Sequence, residues 1–224
     1  FHDLFPQLAV QLQVGRNFRV LVNGNIHFIS LSGMILTRWP FLLRQKYNRA
    51  GENDMKEDIK APIETERKWL VTHWPESELK LLLEQEMDQG YVSVHPTVRI
   101  RRESTIFSVL PEVPCQDAWI LCLKSSGTLS RKEIEIAISE EKYHEIEDLI
   151  GRPLIPKTRR TYLLKSGRHL EVNHVDAGQP TEFWYAEIEF PDPRSALAYD
   201  PSEDGLSSYL NHEVTAQPGQ SMGA

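Results

Sequence analysis

The chain has 224 residues, of which 40% are hydrophobic and 25% are charged, and its formal net charge is −7. These values are ordinary for a globular protein, and the length suits one domain with an appendage. The acidic balance gives no support for the broad basic surface of a nucleic-acid-binding domain, so we expect no nucleic-acid partner. No apolar run approaches 18 residues, so we expect no membrane partner and a cytoplasmic protein.

The first 54 residues differ in pattern from the rest of the chain. The stretch from Phe18 to Leu36 favours a hairpin that turns at Asn23-Gly24, although its apolar residues follow no regular period. We expect residues 1–54 to be an extension that is either poorly ordered or upstream of a natural start at Met55. A small N-terminal subdomain is the alternative.

Strands and helices alternate from residue 55 to residue 215, which we assign to one domain. Residues 63–71 (IETERKWLV) alternate strictly with a period of two, which predicts a strand. The stretch from Pro75 to Gly90 has a helical apolar spacing, begins with Pro and acids and stops at Gly, so it predicts a helix. Residues 91–103 predict one or two strands that bend at Pro96.

Two hairpins, a further helix and a last strand follow. A turn at Ser125-Ser126-Gly127 separates two alternating runs, and Ser166-Gly167 separates two more. Residues 139–151 open with a Ser cap and end at Gly, which predicts a helix. Residues 182–190 predict a strand, and residues 216–224 predict a flexible tail.

Charged residues recur on one face of each predicted strand. Successive strand side chains point to opposite faces, so Glu64, Glu66 and Lys68 share one face of the first strand. Apolar residues dominate the opposite faces of the later strands. The other charged faces carry Arg99 and Arg101; Lys124; Arg131, Glu133 and Glu135; Lys157 and Arg159; Glu187 and Glu189.

A charged face on one antiparallel strand is usually the solvated side of a sheet. Its recurrence on six strands, with glutamates two residues apart, favours a different interpretation. Neighbouring carboxylates repel unless a cation lies between them, and hard oxygen ligands suit Mg²⁺ or Mn²⁺. Paired Arg and Lys residues suit a polyanion with several phosphates. If all these faces look into a closed barrel, a triphosphate with divalent ions would pair both sets of charges.

The first strand resembles the E-x-E-x-K strand of CYTH domains, the triphosphate tunnel metalloenzymes. The resemblance continues in the family's order through VRIRR, LCLK, RKEIEI, KTRR, LEVN, AEIEF and EVT, and it covers about residues 60–215. It implies a mainly β fold with some α (α+β): an eight-stranded antiparallel closed β-barrel that forms a tunnel, with helices packed outside. The form of the first strand is similar to the small bacterial members that hydrolyse inorganic triphosphate.

The resemblance also implies roles for individual residues. The implied metal ligands are Glu64, Glu66, Glu187 and Glu189, with Glu135 as a further ligand. The implied phosphate-binding residues are Lys68, Arg99, Arg101, Lys124, Arg131, Lys157 and Arg159. The implied catalytic residues are Lys68, Glu66 and Lys157. Metal-assisted hydrolysis with Mg²⁺ or Mn²⁺ is the expected reaction, on a small-molecule triphosphate substrate.

One residue departs from the family pattern. Asn173 stands where family members often carry Asp, so a metal contact or water-orienting group is weakened, and Glu171 on the same face is the residue that could compensate. His169 and His174 are alternative metal ligands, but lone histidines are more often structural. We expect His174 to point out of the tunnel.

Other functions stay open at this point. A class IV adenylate cyclase would, by the resemblance, carry His-Phe just ahead of the first strand, where this chain has Glu57 and Asp58. Thiamine triphosphatase activity depends on a few aromatic contacts at the tunnel mouth. A non-catalytic polyphosphate- or nucleotide-binding module is the third alternative. No motif fixes the oligomeric state, and a homodimer stays open.

Overall fold

The computed structural model describes residues 62–75 and 79–217 in full, and residues 17–22 and 25–30 by their backbone. Contacts divide the chain into two units, Phe1–Glu52 and Asn53–Ala224. Within the described part of the chain, no helix has the length and apolar character needed to cross a membrane.

The first unit contains one antiparallel strand pair. Strand β1 (Asn17–Val22) pairs with β2 (Asn25–Ser30), with Val22 opposite Asn25, which agrees with the predicted hairpin. Its predicted turn residues, Asn23-Gly24, lie outside the described residues. Everything else that the sequence predicts for residues 1–54 lies outside the described residues. The same holds for most of the predicted tail.

Eight antiparallel strands of the second unit close into a barrel. Each strand pairs with two neighbours, in the order β10-β3-β7-β6-β5-β4-β8-β9, and β9 pairs with β10 to complete the circle. The predicted closed eight-stranded barrel is therefore confirmed. In chain order its strands are β3 (Ile63–Val71), β4 (Lys80–Val94), β5 (Thr97–Ser108), β6 (Asp117–Lys124), β7 (Ser130–Ala137), β8 (Ile155–Leu163), β9 (His169–Val175) and β10 (Phe183–Glu189).

The predicted helix from Pro75 to Gly90 is wrong, because most of this stretch belongs to strand β4. The strand pairs with β5 on one side and β8 on the other. Irregularities between Leu81 and Leu83 and between Glu84 and Gln85 interrupt the alternation, so the apolar residues imitate a helical stripe. Backbone pairing with two neighbouring strands outweighs the weak helical preference of Leu, Glu and Gln.

Helix α1 (Glu140–Ile150) packs outside the barrel, as predicted. The Ser139 side chain accepts a hydrogen bond from the backbone N–H of Lys142, and Gly151 ends the helix with a φ of 60°. The buried Tyr143 hydroxyl donates to the Asp88 carbonyl oxygen at 3.1 Å. Gly90 permits this close approach, because a Cβ there would lie 2.9 Å from the Ile150 side chain.

The C-terminal segment covers another part of the barrel wall. It contains helix α2 (Pro193–Ala198) and a 3₁₀ helix (Pro201–Asp204). The outward apolar faces of β3, β8, β9 and β10 pack against this segment and form the main hydrophobic core, whose members include Trp69, Leu170, Val172, Ala186, Ile188, Phe190, Tyr199, Leu206 and Leu210. The apolar faces of these strands therefore look outward to the helices, and their charged faces look inward.

Candidate active site in the barrel lumen

Ion pairs between strands that are not neighbours prove the inward direction of the charged side chains. Lys124 Nζ on β6 lies 3.2 Å from Glu64 Oε2 on β3, although β7 separates the two strands. Arg101 Nη2 on β5 lies 3.0 Å from Glu135 Oε1 on β7, across β6. The hydrophobic core that includes Trp69, Ala186 and Ile188 lies on the other face of the barrel wall, so these charged contacts lie on the inner face. The lumen is therefore lined by the charged faces that the alternation predicts.

Strands β3, β7 and β10 carry most of the acids. Arg131 lies between two of them, with Nε 2.9 Å from Glu64 Oε2 and Nη2 2.6 Å from Glu66 Oε1. Glu66 is the register partner of Glu189, and Lys68 is the register partner of Glu187. The structure thus places the four predicted metal-binding glutamates on two adjacent strands of one wall.

The pKa of Glu66 reflects the balance of positive and negative charge on this wall. Burial raises the pKa of Glu66 to about 7, and the neighbouring carboxylates of Glu187 and Glu64 add to the rise. Burial also acts to raise the pKa of Glu187, but the Lys68 ammonium outweighs it and the pKa falls below its usual range. The bases near Glu66 therefore neutralise only part of the negative charge of the surrounding carboxylates. Carboxylate oxygens are the ligands that Mg²⁺ and Mn²⁺ prefer, and a cation bound here would have to displace the Glu66 proton.

Bases dominate the lumen faces of β5 and β8, the two strands that flank β4. These two strands carry four cations with little exposure to solvent, Arg99, Arg101, Lys157 and Arg159. Among the described residues, the Nε atoms of Arg99 and Arg101 are buried without a hydrogen-bond partner. A buried guanidinium N–H that lacks an acceptor is costly, so this wall suits a bound anion.

Lys157 differs from the other bases in the lumen. Its Nζ donates to the Tyr185 hydroxyl at 3.2 Å. Burial lowers the pKa of Lys157 well below its ordinary value, and the cations Arg159 and Arg101 lower it further. Lys157 therefore loses its proton more readily than an ordinary lysine.

Several lumen residues were not predicted from the sequence. Glu103 is buried beside Arg101, with Oε1 2.6 Å from Arg101 Nη2, and the Gln85 amide donates to Glu103 at 3.3 Å. Glu103 continues the period-two pattern of Arg99 and Arg101, so that pattern was the available signal. Gln85 was missed because its stretch was predicted to be a helix. Tyr185 was missed because its side chain carries no charge that would mark it as a lumen residue.

One compact group of potential metal ligands lies elsewhere in the lumen. Ligand atoms of Cys122, Glu133 and Glu135 lie within 4.8 Å of one another. Within the described residues this is the single such group, and the glutamates of β3 and β10 form none. The carboxylates of this group already pair with bases, Glu133 with Lys124 at 2.9 Å and Glu135 with Arg101. Burial raises the pKa of the Cys122 thiol to about 12, which disfavours the thiolate that a metal needs.

The remaining candidates lie on strand β9. Glu171 faces the lumen, where its Oε2 lies 3.0 Å from Arg159 Nη1. Asn173 Oδ1 accepts a hydrogen bond from Arg159 Nε at 3.2 Å, so both side chains hold one base. His174 points away from the lumen, as expected: its ring stacks on Trp184 at 3.7 Å, and its Nε2 lies 2.7 Å from Glu182. His169 is exposed at the start of the strand.

A closed antiparallel barrel with its charges turned inward defines a tunnel protein with an ion-paired lumen. Over 142 residues, 62% of this chain and 83% of the relative, the chain is 30% identical to the inorganic triphosphatase of Nitrosomonas europaea. The chain therefore belongs to the CYTH, or triphosphate tunnel metalloenzyme, family. No protein-family model matches it.

Two solved structures are similar at lower identity. A crystal structure of an inorganic triphosphatase matches with a TM-score of 0.45 and 24% identity, over 70% of this chain and 90% of that chain. A protein from Pyrococcus horikoshii OT3 matches with a TM-score of 0.45 and 18% identity, over 66% of this chain and 88% of that chain.

Proposed function

We propose that the protein hydrolyses inorganic triphosphate inside the barrel lumen, with Mg²⁺ or Mn²⁺ as its cofactor. The observation that carries this proposal is the cationic wall of β5 and β8, where two buried Arg Nε atoms, on Arg99 and Arg101, have no hydrogen-bond partner among the described residues. A short polyphosphate supplies several anionic acceptors along one line. The inorganic triphosphatase that the chain resembles supports the same substrate class.

The lumen bases would bind the phosphate chain. The proposed set is Lys68, Arg99, Arg101, Lys124, Arg131, Lys157 and Arg159. Guanidinium groups offer fixed forks of donors to phosphate oxygens, and preorganised positive charge stabilises the charge that develops on them during cleavage. Because most of these side chains are already held by ion pairs, little reorganisation is needed when the phosphates enter.

The metal would be held by Glu64, Glu66, Glu187 and Glu189, with Glu135 as a further ligand. A bound Mg²⁺ or Mn²⁺ would supply positive charge to the phosphates and lower the pKa of water. The raised pKa of Glu66 supports this position, because a cation near that carboxylate relieves the repulsion from Glu64 and Glu187. Glu135 pairs with Arg101, just as Glu66 pairs with Arg131 and Glu187 with Lys68, so each of these carboxylates would exchange a base for the metal.

The proposed reaction passes the terminal phosphoryl group to water. The bond between its phosphorus and the bridging oxygen breaks, and pyrophosphate leaves. Lys157 in its neutral form would accept the proton that the attacking water loses. Lys68 would stabilise the phosphate charge from the adjoining wall, where it also pairs with Glu187. Glu66 would orient the reacting groups through its place beside Lys68.

Phosphate release from tripolyphosphate tests the proposal. We expect turnover with Mg²⁺ or Mn²⁺, none in EDTA, and slower release from ATP and thiamine triphosphate. Adenylate cyclase activity would appear instead as cyclic AMP formed from ATP, and a binding module would bind tripolyphosphate without turnover.

Neighbouring arginines on β5 provide a matched pair of variants. Arg101 faces the lumen, whereas Arg102 faces outward and pairs with Asp88 and Asp117. We expect Arg101→Gln to lower kcat/KM by about 10²-fold and Arg102→Gln to leave it nearly unchanged. Equal activity of the two variants would contradict a lumenal site.

A further inference from the structure

Asn173 lies at the centre of β9 and is fully buried. Its register partners are Arg159 on β8 and Tyr185 on β10, and all three side chains face the lumen. Asn173 Oδ1 accepts a hydrogen bond from Arg159 Nε at 3.2 Å. In the part of the chain that the structure describes, Asn173 Nδ2 has no hydrogen-bond partner.

The orientation of this amide follows from its partner. An arginine guanidinium carries only donors, so the atom that faces Arg159 must be the amide oxygen. The amide nitrogen therefore points away from Arg159. A buried N–H group without an acceptor is energetically unfavourable, so we expect an acceptor to be bound next to it in the functional state.

The charges around Asn173 indicate which kind of ligand would accept a hydrogen bond from its Nδ2. Arg159 lies directly beside it, and Lys157 contacts Tyr185, the residue opposite Asn173. The positive charge of Arg159 and the N–H donor of Asn173 repel a metal ion and attract an anion. Glu171 is the nearest acid on the same strand, and it is held by Arg159 Nη1.

We propose that Asn173 Nδ2 is a further substrate-binding donor, which contacts a phosphate oxygen of a triphosphate bound against Arg159. This inference rests on the proposed function, because it takes the triphosphate in the lumen as given. An acid at this position would offer a second carboxylate oxygen to a metal ion. Asn173 keeps the acceptor that holds Arg159 and replaces the second oxygen with a donor. The residue therefore belongs to the phosphate side of the site, not to the metal side.

Asn173→Asp separates these roles, because it preserves the acceptor for Arg159 and exchanges the donor for an anionic oxygen. The probe is a methylene-bridged tripolyphosphate analogue, titrated by calorimetry in the presence of Mg²⁺. We expect the dissociation constant of the analogue to rise by about tenfold or more, because a repulsive pair replaces a charge-assisted hydrogen bond. The affinity for Mn²⁺ alone should not fall. Asn211→Asp, the same change at an exposed position, should leave the analogue affinity unchanged.

The outcomes are distinct. Analogue binding by Asn173→Asp that equals or exceeds wild type would overturn the inference, because Asn173 would then only orient Arg159. If thermal melting shows that Asn173→Asp does not fold, Asn173→Ala is compared in wild type and in the Arg159→Ala background: a loss of analogue binding that persists without Arg159 supports the donor role, and a loss that is absent there overturns it. A wild-type protein that fails to bind the analogue would instead contradict the proposed function.

Discussion

Lys68 Nζ lies 2.9 Å from Glu187 Oε1, and the two residues are register partners across the seam where the first barrel strand meets the last. The barrel therefore closes on an ion pair between a proposed phosphate-binding base and a proposed metal ligand. Because the two residues share one contact, the proposed phosphate and metal parts of the site would be physically coupled.

Adjacent residues on β3 should separate catalysis from stability. Lys68 faces the lumen, whereas Arg67 faces outward, where it binds Glu213 and donates to the carbonyl oxygens of Ala196 and Tyr199. We expect Lys68→Gln to lower kcat/KM for tripolyphosphate by about 10²-fold per folded molecule. Arg67→Gln should lower Tm and retain the activity per folded molecule. Loss of activity per folded molecule in Arg67→Gln, with activity retained in Lys68→Gln, would show that the inward and outward faces of β3 are wrongly assigned.

Glu66 should make the stability of the metal-free protein depend on pH. Its folded pKa of about 7 is raised above the ordinary value of 4.5. The stability that its proton contributes is therefore fully present below pH 4.5 and is lost as the pH rises through about 7. Denaturation in EDTA should show the free energy of unfolding falling across this range in wild type.

The matching variants sharpen this measurement. Glu66→Gln has no proton to lose, so its stability should vary less between about pH 5 and about pH 8, the range in which wild type titrates. Glu86→Gln, at an exposed position on the outer face of β4, should follow the wild-type curve. Parallel curves for wild type and Glu66→Gln would remove Glu66 as the cause.

Much of the barrel was predictable because its strands alternate between a charged and an apolar side. The faces of β3 and β7 follow directly from residues such as Lys68 and Glu133, since a period of two decides which side chains share a wall. Helix α1 was predictable for a different reason, because Ser139 and Gly151 are local capping signals. These features need no information from distant parts of the chain.

The rest of the fold and site depends on contacts that the local pattern does not contain. Strand β4 reads as a helix because its irregularities near Leu83 and Gln85 break the alternation, and only pairing with β5 and β8 reveals a strand. The uncharged Tyr185 shows its role only through its contact with Lys157 across β9. Metal coordination by the glutamates of β3 and β10 stays a prediction.

Asp204 should be important for the stability of the C-terminal segment. Its buried carboxylate accepts hydrogen bonds from the Ser166 backbone N–H at 2.7 Å, from the Ser166 hydroxyl at 3.0 Å and from the Tyr199 hydroxyl at 2.9 Å. It thereby ties the β8–β9 turn to the segment that covers the barrel. We expect Asp204→Ala to lower the free energy of unfolding by about 3 kcal/mol, because buried donors lose a charged acceptor. Asp148→Ala, at an exposed position on α1, should change it by no more than about 0.5 kcal/mol in denaturant titrations.

Lys157 should control the pH dependence of turnover. Burial first, and then the cations Arg159 and Arg101, lower the pKa of Lys157, so its neutral form appears at a lower pH than for an ordinary lysine. If the neutral amine accepts a proton from water, kcat should rise with pH through the pKa of Lys157. Lys157→Arg keeps the positive charge but cannot lose its proton, so it should retain KM and lower kcat by about 10²-fold or more.

Lys124→Arg is the control for this variant, because it makes the same change at another buried lumen base. Burial acts to lower the pKa of Lys124, but Glu64 and Glu133 outweigh it and the pKa is raised. Lys124 therefore stays protonated at the pH of the assay, and its replacement by Arg should preserve kcat and the shape of the pH profile. An unchanged kcat in Lys157→Arg would exclude Lys157 as the proton acceptor. A loss of kcat in both variants would instead indicate that the lumen tolerates no larger base, and the pH profile of wild type would then decide between the two explanations.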